Sequence, residues 1–304
     1  MIGLRLVRLA AFAAGTLGGL SGAAYGLLNG QSRHARRVIG PPENAPLRAD
    51  GIHLPDGTDP RPSDGIAPLE LAIIGDSTAA GLGVDVPEQL PGVLLARGLA
   101  AELEHPVALS THAIVGTTSR ELDAQVDEVL RRPPRVVIIF IGANDVTSQL
   151  PAHKSTQLLG QAVRRLRAAD VAVVAGTCPD LGAIRPIPQP LRSVVRTMSL
   201  SLAKAQRRVV EEAGGHAVPL ADLLSPEFLT HPTELFSRDR FHPSAAGYEA
   251  VVEVLLPALC HALDAWEGAP LPHAPTRSSA AEARRPTQRL VTWLNRRLKQ
   301  RKGS

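Results

Sequence analysis

The sequence predicts an α/β fold, a three-layer α/β/α sandwich with a central, parallel sheet of about five strands. From residue 69 onward, short apolar runs alternate with longer stretches of helical spacing, a pattern typical of strands joined by crossover helices. The runs are apolar at successive positions rather than at every second one, which indicates strands buried on both faces. The 304 residues, 44% hydrophobic and 20% charged, have the composition of a globular protein.

Each predicted element follows from its own pattern. The apolar runs that predict strands are residues 69–74, 107–115, 135–141, 171–175 and 216–220. The stretches that predict helices are residues 88–103, 119–131, 156–169, 191–213 and 244–264. The run that begins at Arg135 reads RVVIIFI and is the strongest strand signal, because every position after the arginine is apolar. Ser119 is a candidate N-cap for its helix.

The charge of the chain is concentrated at its two ends. Residues 1–40 contribute +5 and residues 277–304 contribute +8, so the net charge of +4 leaves −9 for the region between them. Nine aromatic residues are too few for a series of base-stacking platforms, so we expect no nucleic-acid partner. Two cysteines exclude a disulfide scaffold and a cysteine-based zinc finger.

Residues 1–37 form the first predicted segment, a signal or membrane anchor. Residues 9–30 carry no charge over 22 positions, which is long enough to span a hydrocarbon core of about 30 Å. An uncleaved anchor is the preferred interpretation; a cleaved secretory signal and a buried helix are the alternatives. Because arginines flank the segment on both sides, the positive-inside rule does not assign its orientation.

Three further segments complete the predicted organisation. Residues 38–68, with seven prolines, read as a linker or a loose cover over the domain. Residues 69–268 form the predicted catalytic domain. Residues 269–304 form a flexible basic tail, in which TQRLVTWLNRRLKQRK predicts a basic amphipathic helix suited to an anionic membrane surface. A solvated tail is the alternative.

Polar residues with catalytic potential follow the predicted strands. They are GDST at residues 75–78, Gly116, GAND at residues 142–145, and DRFHP at residues 239–243 before the last helix. Ligands of parallel sheets bind at the carboxyl ends of strands. Acyl transfer needs a nucleophile, a base, a group that orients the base, and donors for an oxyanion. These four blocks contain a residue type suited to each role.

In their order and separations, the four blocks resemble the SGNH (GDSL-type) serine hydrolase family over about residues 69–264. The resemblance implies a flavodoxin-like fold, Ser77 as nucleophile, His242 as general base and Asp239 as the acid that orients it. It also implies an oxyanion hole made by the backbone N–H groups of Ser77 and Gly116 and the side-chain amide of Asn144. The family uses no cofactor or metal, and we expect none here.

Other interpretations of the same residues are weaker. Thr78 stands where the family motif has leucine, and residues 75–79 half-match the nucleophile elbow G-x-S-x-G of α/β-hydrolases. In those enzymes a long stretch separates the acid from the base, whereas here two residues do. Asp76 and Asp145 are interpreted as structural or capping residues.

The functional expectation is a serine esterase for short- to medium-chain acyl esters, acting on a small-molecule or lipid substrate. The alternatives are a cell-envelope carbohydrate O-acyl esterase or acyltransferase, and a non-catalytic envelope protein. We expect association with the membrane and a catalytic domain outside the cytoplasm, or secretion after signal cleavage. The acyl acceptor, the oligomeric state, and the redox state of Cys178 and Cys260 are left open.

Overall fold

The computed structural model describes residues 25–42, 45–57 and 65–265 of the chain. Its centre is a six-stranded sheet in the order β1-β3-β2-β4-β5-β6. The strands are β1 Gly51–His53, β2 Leu69–Gly75, β3 Val107–Thr111, β4 Val136–Phe140, β5 Ala172–Gly176 and β6 His216–Val218. β1 pairs antiparallel with β3, and all the other pairings are parallel.

Helices cover both faces of this sheet. Residues 25–39 are helical and are labelled α1. The others are α2 Pro91–Leu103, α3 Leu122–Val129, α4 Ala143–Thr147, α5 Ala152–Ala168, α6 Leu191–Glu212, α7 Leu220–Thr230, α8 Pro232–Leu235 and α9 Ala245–Ala262. Short 3₁₀ turns lie at Pro87–Gln89, Ser119–Glu121 and Leu181–Ala183.

Two apolar cores lie on opposite faces of the sheet, and successive strand residues alternate between them. Ile73 and Ile138 join the core that α2 and α9 cover, whereas Ile74 and Ile139 join the core that α3 and α5 cover. All four side chains are fully buried. Burial on both faces explains why the strands are continuously apolar, and it confirms the predicted α/β/α sandwich.

Three local predictions differ from the structure. The sixth strand, β1, is only three residues long and mostly exposed, so it has no apolar period that would reveal it. Helix α7 begins at Leu220, where a strand end was predicted, and contains Pro226, a residue that normally signals a helix end. The cap before residue 119 is Thr118, which forms a capping box with Glu121; Ser119 has another role, described below.

Helix α1 packs against the domain at the carboxyl ends of β4 and β5. The Gln31 amide donates to the carbonyl of Gln189 at 2.6 Å and accepts from the backbone N–H of Leu191 at 3.0 Å. Arg36 donates to the carbonyl of Thr147 at the end of α4, and Ala35 is buried in the larger core. The last part of the segment predicted as an anchor therefore contacts the domain directly.

The predictions for the remainder of the anchor, residues 9–24, and for the basic tail at residues 269–304 lie outside the described residues. The division into four segments stays a prediction. Among the described helices, α9 is long and apolar enough to cross a membrane, with a mean hydropathy of 1.2. Its buried residues, among them Tyr248 and Leu255, pack in the core, so α9 belongs to the covering layer. Cys178 and Cys260 are both buried free thiols.

Candidate active site

The sheet topology places three of the predicted blocks side by side. β2 lies at the centre with β3 on one side and β4 on the other, so the connections that leave β2 and β4 run in opposite directions. Ligands of doubly wound sheets bind in the crevice at such a switch point. Ser77, Gly116 and Asn144 follow β2, β3 and β4 respectively and therefore lie at the same edge of the sheet.

The backbone before Ser77 is held in a conformation that requires glycine. Gly75 has φ +134°, and a Cβ atom there would lie 1.9 Å from the carbonyl oxygen of Phe140. The side chain of Gln125 accepts from the Gly75 N–H at 2.7 Å and donates to the Gly75 carbonyl at 3.0 Å. The N–H of Asp76 donates to the carbonyl of Phe140 at 3.0 Å. These contacts fix the position from which the Ser77 side chain leaves β2.

A continuous series of hydrogen bonds joins Ser77, His242 and Asp239. His242 Nε2 lies 2.9 Å from Ser77 Oγ, and His242 Nδ1 lies 2.6 Å from Asp239 Oδ2. The Asp239 carboxylate can only accept hydrogen bonds, so Nδ1 carries the hydrogen and Nε2 is free to accept a hydrogen bond from the serine hydroxyl. Ser77 and His242 are 7% and 8% exposed, which shields this series from bulk water.

The Asp239 carboxylate is held in the charged form that this arrangement needs. Its Oδ1 accepts from the N–H groups of Phe241 and His242 and from the hydroxyl of Ser237, at 2.8 to 2.9 Å. Burial alone would raise the pKa of Asp239, but the hydrogen bonds from His242 and Phe241 outweigh it and lower the pKa to about 2. The left-handed conformation of Arg240, at φ +57°, turns the chain so that these groups converge.

The groups predicted to bind an oxyanion have free donors. Within the described part of the chain, neither the backbone N–H of Ser77 nor that of Gly116 donates a hydrogen bond. Asn144 uses one amide hydrogen to donate to the carbonyl of Thr117 at 3.0 Å, and its second amide hydrogen is available for a ligand. Gly116 has φ +81°, a conformation that other residues rarely adopt.

Three buried side chains that the sequence analysis did not assign to the site hold its loops. The Asp145 carboxylate accepts from Ser119 and Ser155. Gln125 binds Gly75 as described, and Gln206 accepts from the N–H of Cys178 at 2.7 Å and donates to the carbonyl of Ile141 at 3.0 Å. Both glutamines occupy buried positions on helix faces that are mostly apolar, and this exception to the pattern is the signal that could have revealed them.

A cavity of about 90 Å³ opens beside Ser77 and His242. Apolar side chains form most of its wall, namely Phe140, Leu181, Ala183, Ile184, Leu220, Leu224, Phe228, Phe236 and Val251. Asp180, in the same wall, pairs with Arg196 at 2.5 Å and accepts from the N–H of Gly182 at 2.8 Å. This ion pair holds the 3₁₀ turn Leu181–Ala183 in place, and the turn forms one side of the cavity.

Within the described residues, no group of three or more His, Cys, Asp or Glu side chains is arranged to hold a metal ion.

The Asp76 side chain gives a pH prediction. Burial raises the pKa of Asp76 to about 6, although the N–H of Thr78 donates to it. Its ordinary value is 3.8, so the folded protein binds the proton more tightly than the unfolded chain, and stability falls as the pH rises from about 4 to above 6. We expect the unfolding free energy of the wild type, relative to Asp76→Asn, to fall by about 3 kcal/mol over this range, measured by urea denaturation. A difference that is constant with pH would contradict the prediction.

Comparisons with known proteins agree with the geometry. The family model for the GDSL-like lipase/acylhydrolase family matches residues 73–250. The GDSL-like esterase Rv1075c of Mycobacterium tuberculosis is 45% identical over 262 residues, which are 85% of this chain and 83% of that protein. The identity extends well beyond the four blocks.

Solved structures show the same fold at lower identity. TesA is 22% identical, with a TM-score of 0.51 over 64% of this chain and 99% of that one. The esterase EstA from Pseudoalteromonas is 21% identical, with a TM-score of 0.50 over 64% of this chain and 98% of that one. Family model, relative and fold agree: the chain belongs to the GDSL-like lipase/acylhydrolase family and is an ester-hydrolysing enzyme.

Proposed function

We propose that this protein hydrolyses carboxylic esters through an acyl-enzyme on Ser77, with His242 as general base and acid and Asp239 as its orienting carboxylate. The observation that carries the proposal is the unbroken series from Ser77 Oγ to His242 Nε2 and from His242 Nδ1 to Asp239. A serine hydroxyl is a weak nucleophile at neutral pH and needs an adjacent base to accept its proton. Here that base lies at hydrogen-bond distance and in the required tautomer.

The reaction then proceeds in two acyl transfers. Ser77 Oγ attacks the ester carbonyl while His242 Nε2 takes its proton, and His242 then gives this proton to the leaving alcohol. Water attacks the acyl-enzyme by the same route and releases the acid. The negative oxygen of each tetrahedral intermediate is bound by the N–H groups of Ser77 and Gly116 and by the amide of Asn144. Asp239 stays ionised and stabilises the positively charged imidazole.

A fluorophosphonate probe tests the nucleophile. The probe reacts with activated serine hydroxyls, so we expect one covalent adduct per chain, which peptide mass spectrometry places on Ser77. Prior incubation with substrate ester should slow the labelling. An intact, folded protein that takes up no probe at Ser77 would contradict the proposal and favour a non-catalytic role.

The apolar cavity beside Ser77 supports an acyl chain as the group that it binds. Its walls offer carbon atoms over most of their surface, and each buried CH₂ contributes about 0.8 kcal/mol. We therefore propose short- to medium-chain acyl esters as substrates, with the acyl chain in the cavity and the alcohol outside it. Product analysis in the presence of sugar acceptors distinguishes hydrolysis from acyl transfer.

Narrowing the cavity should change the preference for chain length. Ala183 is 2% exposed and forms part of the wall, and Ala183→Leu adds three carbon atoms there. We expect kcat/KM for an octanoyl ester to fall by about 10- to 100-fold, with kcat/KM for the acetyl ester changed by less than about twofold. Ala124→Leu, on the exposed face of α3, is the control. Equal losses on both esters would show that the acyl chain lies elsewhere.

We further propose that the protein is associated with the membrane through residues 9–30, with the catalytic domain outside the cytoplasm. The charge-free length of this segment supports the proposal. The full chain should sediment with membranes and need detergent for release, whereas a chain that begins at Tyr25 and keeps α1 should be soluble and active. Protease treatment of intact cells tests the side of the membrane. A full chain found in the soluble fraction would contradict the anchor.

A further inference from the structure

A buried carboxylate lies directly beside the candidate oxyanion hole. Asp145 is 0% exposed and directly follows Asn144. None of the ion pairs among the described residues includes it. Asp180, a carboxylate in the wall of the cavity, pairs with Arg196. Burying a carboxylate is costly unless other groups compensate its charge, so the contacts of Asp145 require an explanation.

Three hydrogen bonds provide this compensation, and all come from outside α4. The N–H of Ser119 donates to Oδ1 at 2.8 Å, and the Ser119 hydroxyl donates to Oδ2 at 2.6 Å. The Ser155 hydroxyl, on α5, donates to Oδ2 at 2.5 Å. An amide side chain has only one acceptor oxygen, whereas a carboxylate has two and donates nothing. An aspartate therefore suits this set of three donors better than an asparagine.

The two bonds from Ser119 join the two loops that carry oxyanion donors, and the bond from Ser155 fastens Asp145 to α5. Ser119 lies three residues after Gly116, and Asp145 is the neighbour of Asn144. Among the described residues, one other side-chain bond runs between these loops, from the Asn144 amide to the carbonyl of Thr117. Helix α4, which carries Asn144, has only five residues, too few to hold its own position without tertiary contacts.

We propose that Asp145 is a positioning residue that sets the separation between the donors of Gly116 and Asn144, and that it acts on the transition state through them. This inference rests on the oxyanion role proposed above for those two residues. Donors of this kind stabilise a transition state only when they lie about 2.7–3.1 Å from the developing oxyanion. A misplacement of about 1 Å can cost about 100-fold in rate.

The proposal is tested by a double-mutant cycle on the full-length chain. Asn144→Ala alone should lower kcat by about 10²- to 10³-fold. Asp145→Ala should lower kcat by about 10- to 100-fold and change KM by less than about threefold. The reason is that misplaced donors stabilise the transition state less, whereas they contribute little to binding of the ester in its ground state. With Asn144→Ala already present, Asp145→Ala should lower kcat by no more than about threefold, because the donor that it positions is missing.

Two sets of variants separate positioning from general stability. Leu166→Ala lies in the core at the other end of α5 and should change kcat by the same small factor in both backgrounds. If Asp145→Ala does not fold, Ser119→Ala and Ser155→Ala each remove one bond to the carboxylate. They should show the same non-additivity with a smaller effect, and Asp145→Asn should recover part of the lost kcat.

The outcomes distinguish this inference from the proposed function. If Asn144→Ala lowers kcat as expected and Asp145→Ala costs an equal factor in both backgrounds, Asp145 is only structural and the inference is overturned. If Asn144→Ala leaves kcat unchanged, the oxyanion assignment and the inference both fail. A cost of Asp145→Ala that nearly disappears in the Asn144→Ala background supports both.

Discussion

Replacing Ser77 with alanine should lower kcat for ester hydrolysis by at least about 10⁴-fold and leave the free energy of unfolding within about 0.5 kcal/mol of the wild-type value. The hydroxyl makes one hydrogen bond, to His242 Nε2, and the imidazole keeps its bond to Asp239 when the hydroxyl is removed. No other group in this series can form the acyl-enzyme. The oxyanion donors remain and account for any residual rate.

The comparison uses a chromogenic short-chain ester, with urea denaturation of the same samples. Ser110→Ala is the control, because Ser110 is a half-buried serine on β3, which pairs with β2, the strand that leads to Ser77. It should retain wild-type kcat. A Ser77→Ala protein that keeps more than about one hundredth of the wild-type kcat would exclude Ser77 as the nucleophile.

Replacing Gly75 with alanine should remove a large part of the stability of the domain. The new Cβ atom would lie 1.9 Å from the carbonyl oxygen of Phe140, and the backbone has φ +134°. The neighbour is a backbone atom of the central strand β4, so it cannot move aside as a flexible side chain could. Steric overlap and backbone strain each cost about 1–3 kcal/mol, against a typical total of about 5–15 kcal/mol. Soluble yield and urea denaturation measure the loss.

Gly214→Ala provides the matched control. Gly214 also has a positive φ, +81°, but a Cβ atom there would meet nothing closer than 3.8 Å. Gly214→Ala should therefore lower the free energy of unfolding only through backbone strain, by about 1 kcal/mol. Equal losses for the two variants would show that the close approach to Phe140 has no effect.

The predictable parts of the fold are the helices and strands in which burial follows a regular pattern along the element. β4 is buried at all five positions, so its apolar run is visible without any knowledge of its neighbours. β1 depends on pairing with β3, more than fifty residues away, and no local period reports such a pairing. Helix α7 was missed because Pro226 lies within it, and an internal proline normally signals a helix end.

The candidate site shows the same division. Ser77, Asn144 and His242 could be predicted as candidates because each stands at a strand end or before a helix within a recognisable block. Asp145 was interpreted only as a structural or capping residue and Gln206 was not noticed, because both act through hydrogen bonds to residues far away in the sequence. A spacing pattern along one chain cannot show which distant N–H a buried side chain will meet.

The docking of α1 has a consequence for how far the enzyme can reach. A flexible linker of 31 residues, such as residues 38–68 alone would provide, has an end-to-end distance of roughly 30 Å, and a domain attached to it could move over that distance. Gln31 directly follows the charge-free segment 9–30 and is hydrogen-bonded to the domain at Gln189 and Leu191. No long flexible linker therefore separates this segment from the domain. If residues 9–30 anchor the chain as proposed, the domain would stay close to the membrane surface, and its ester substrates would have to diffuse to it.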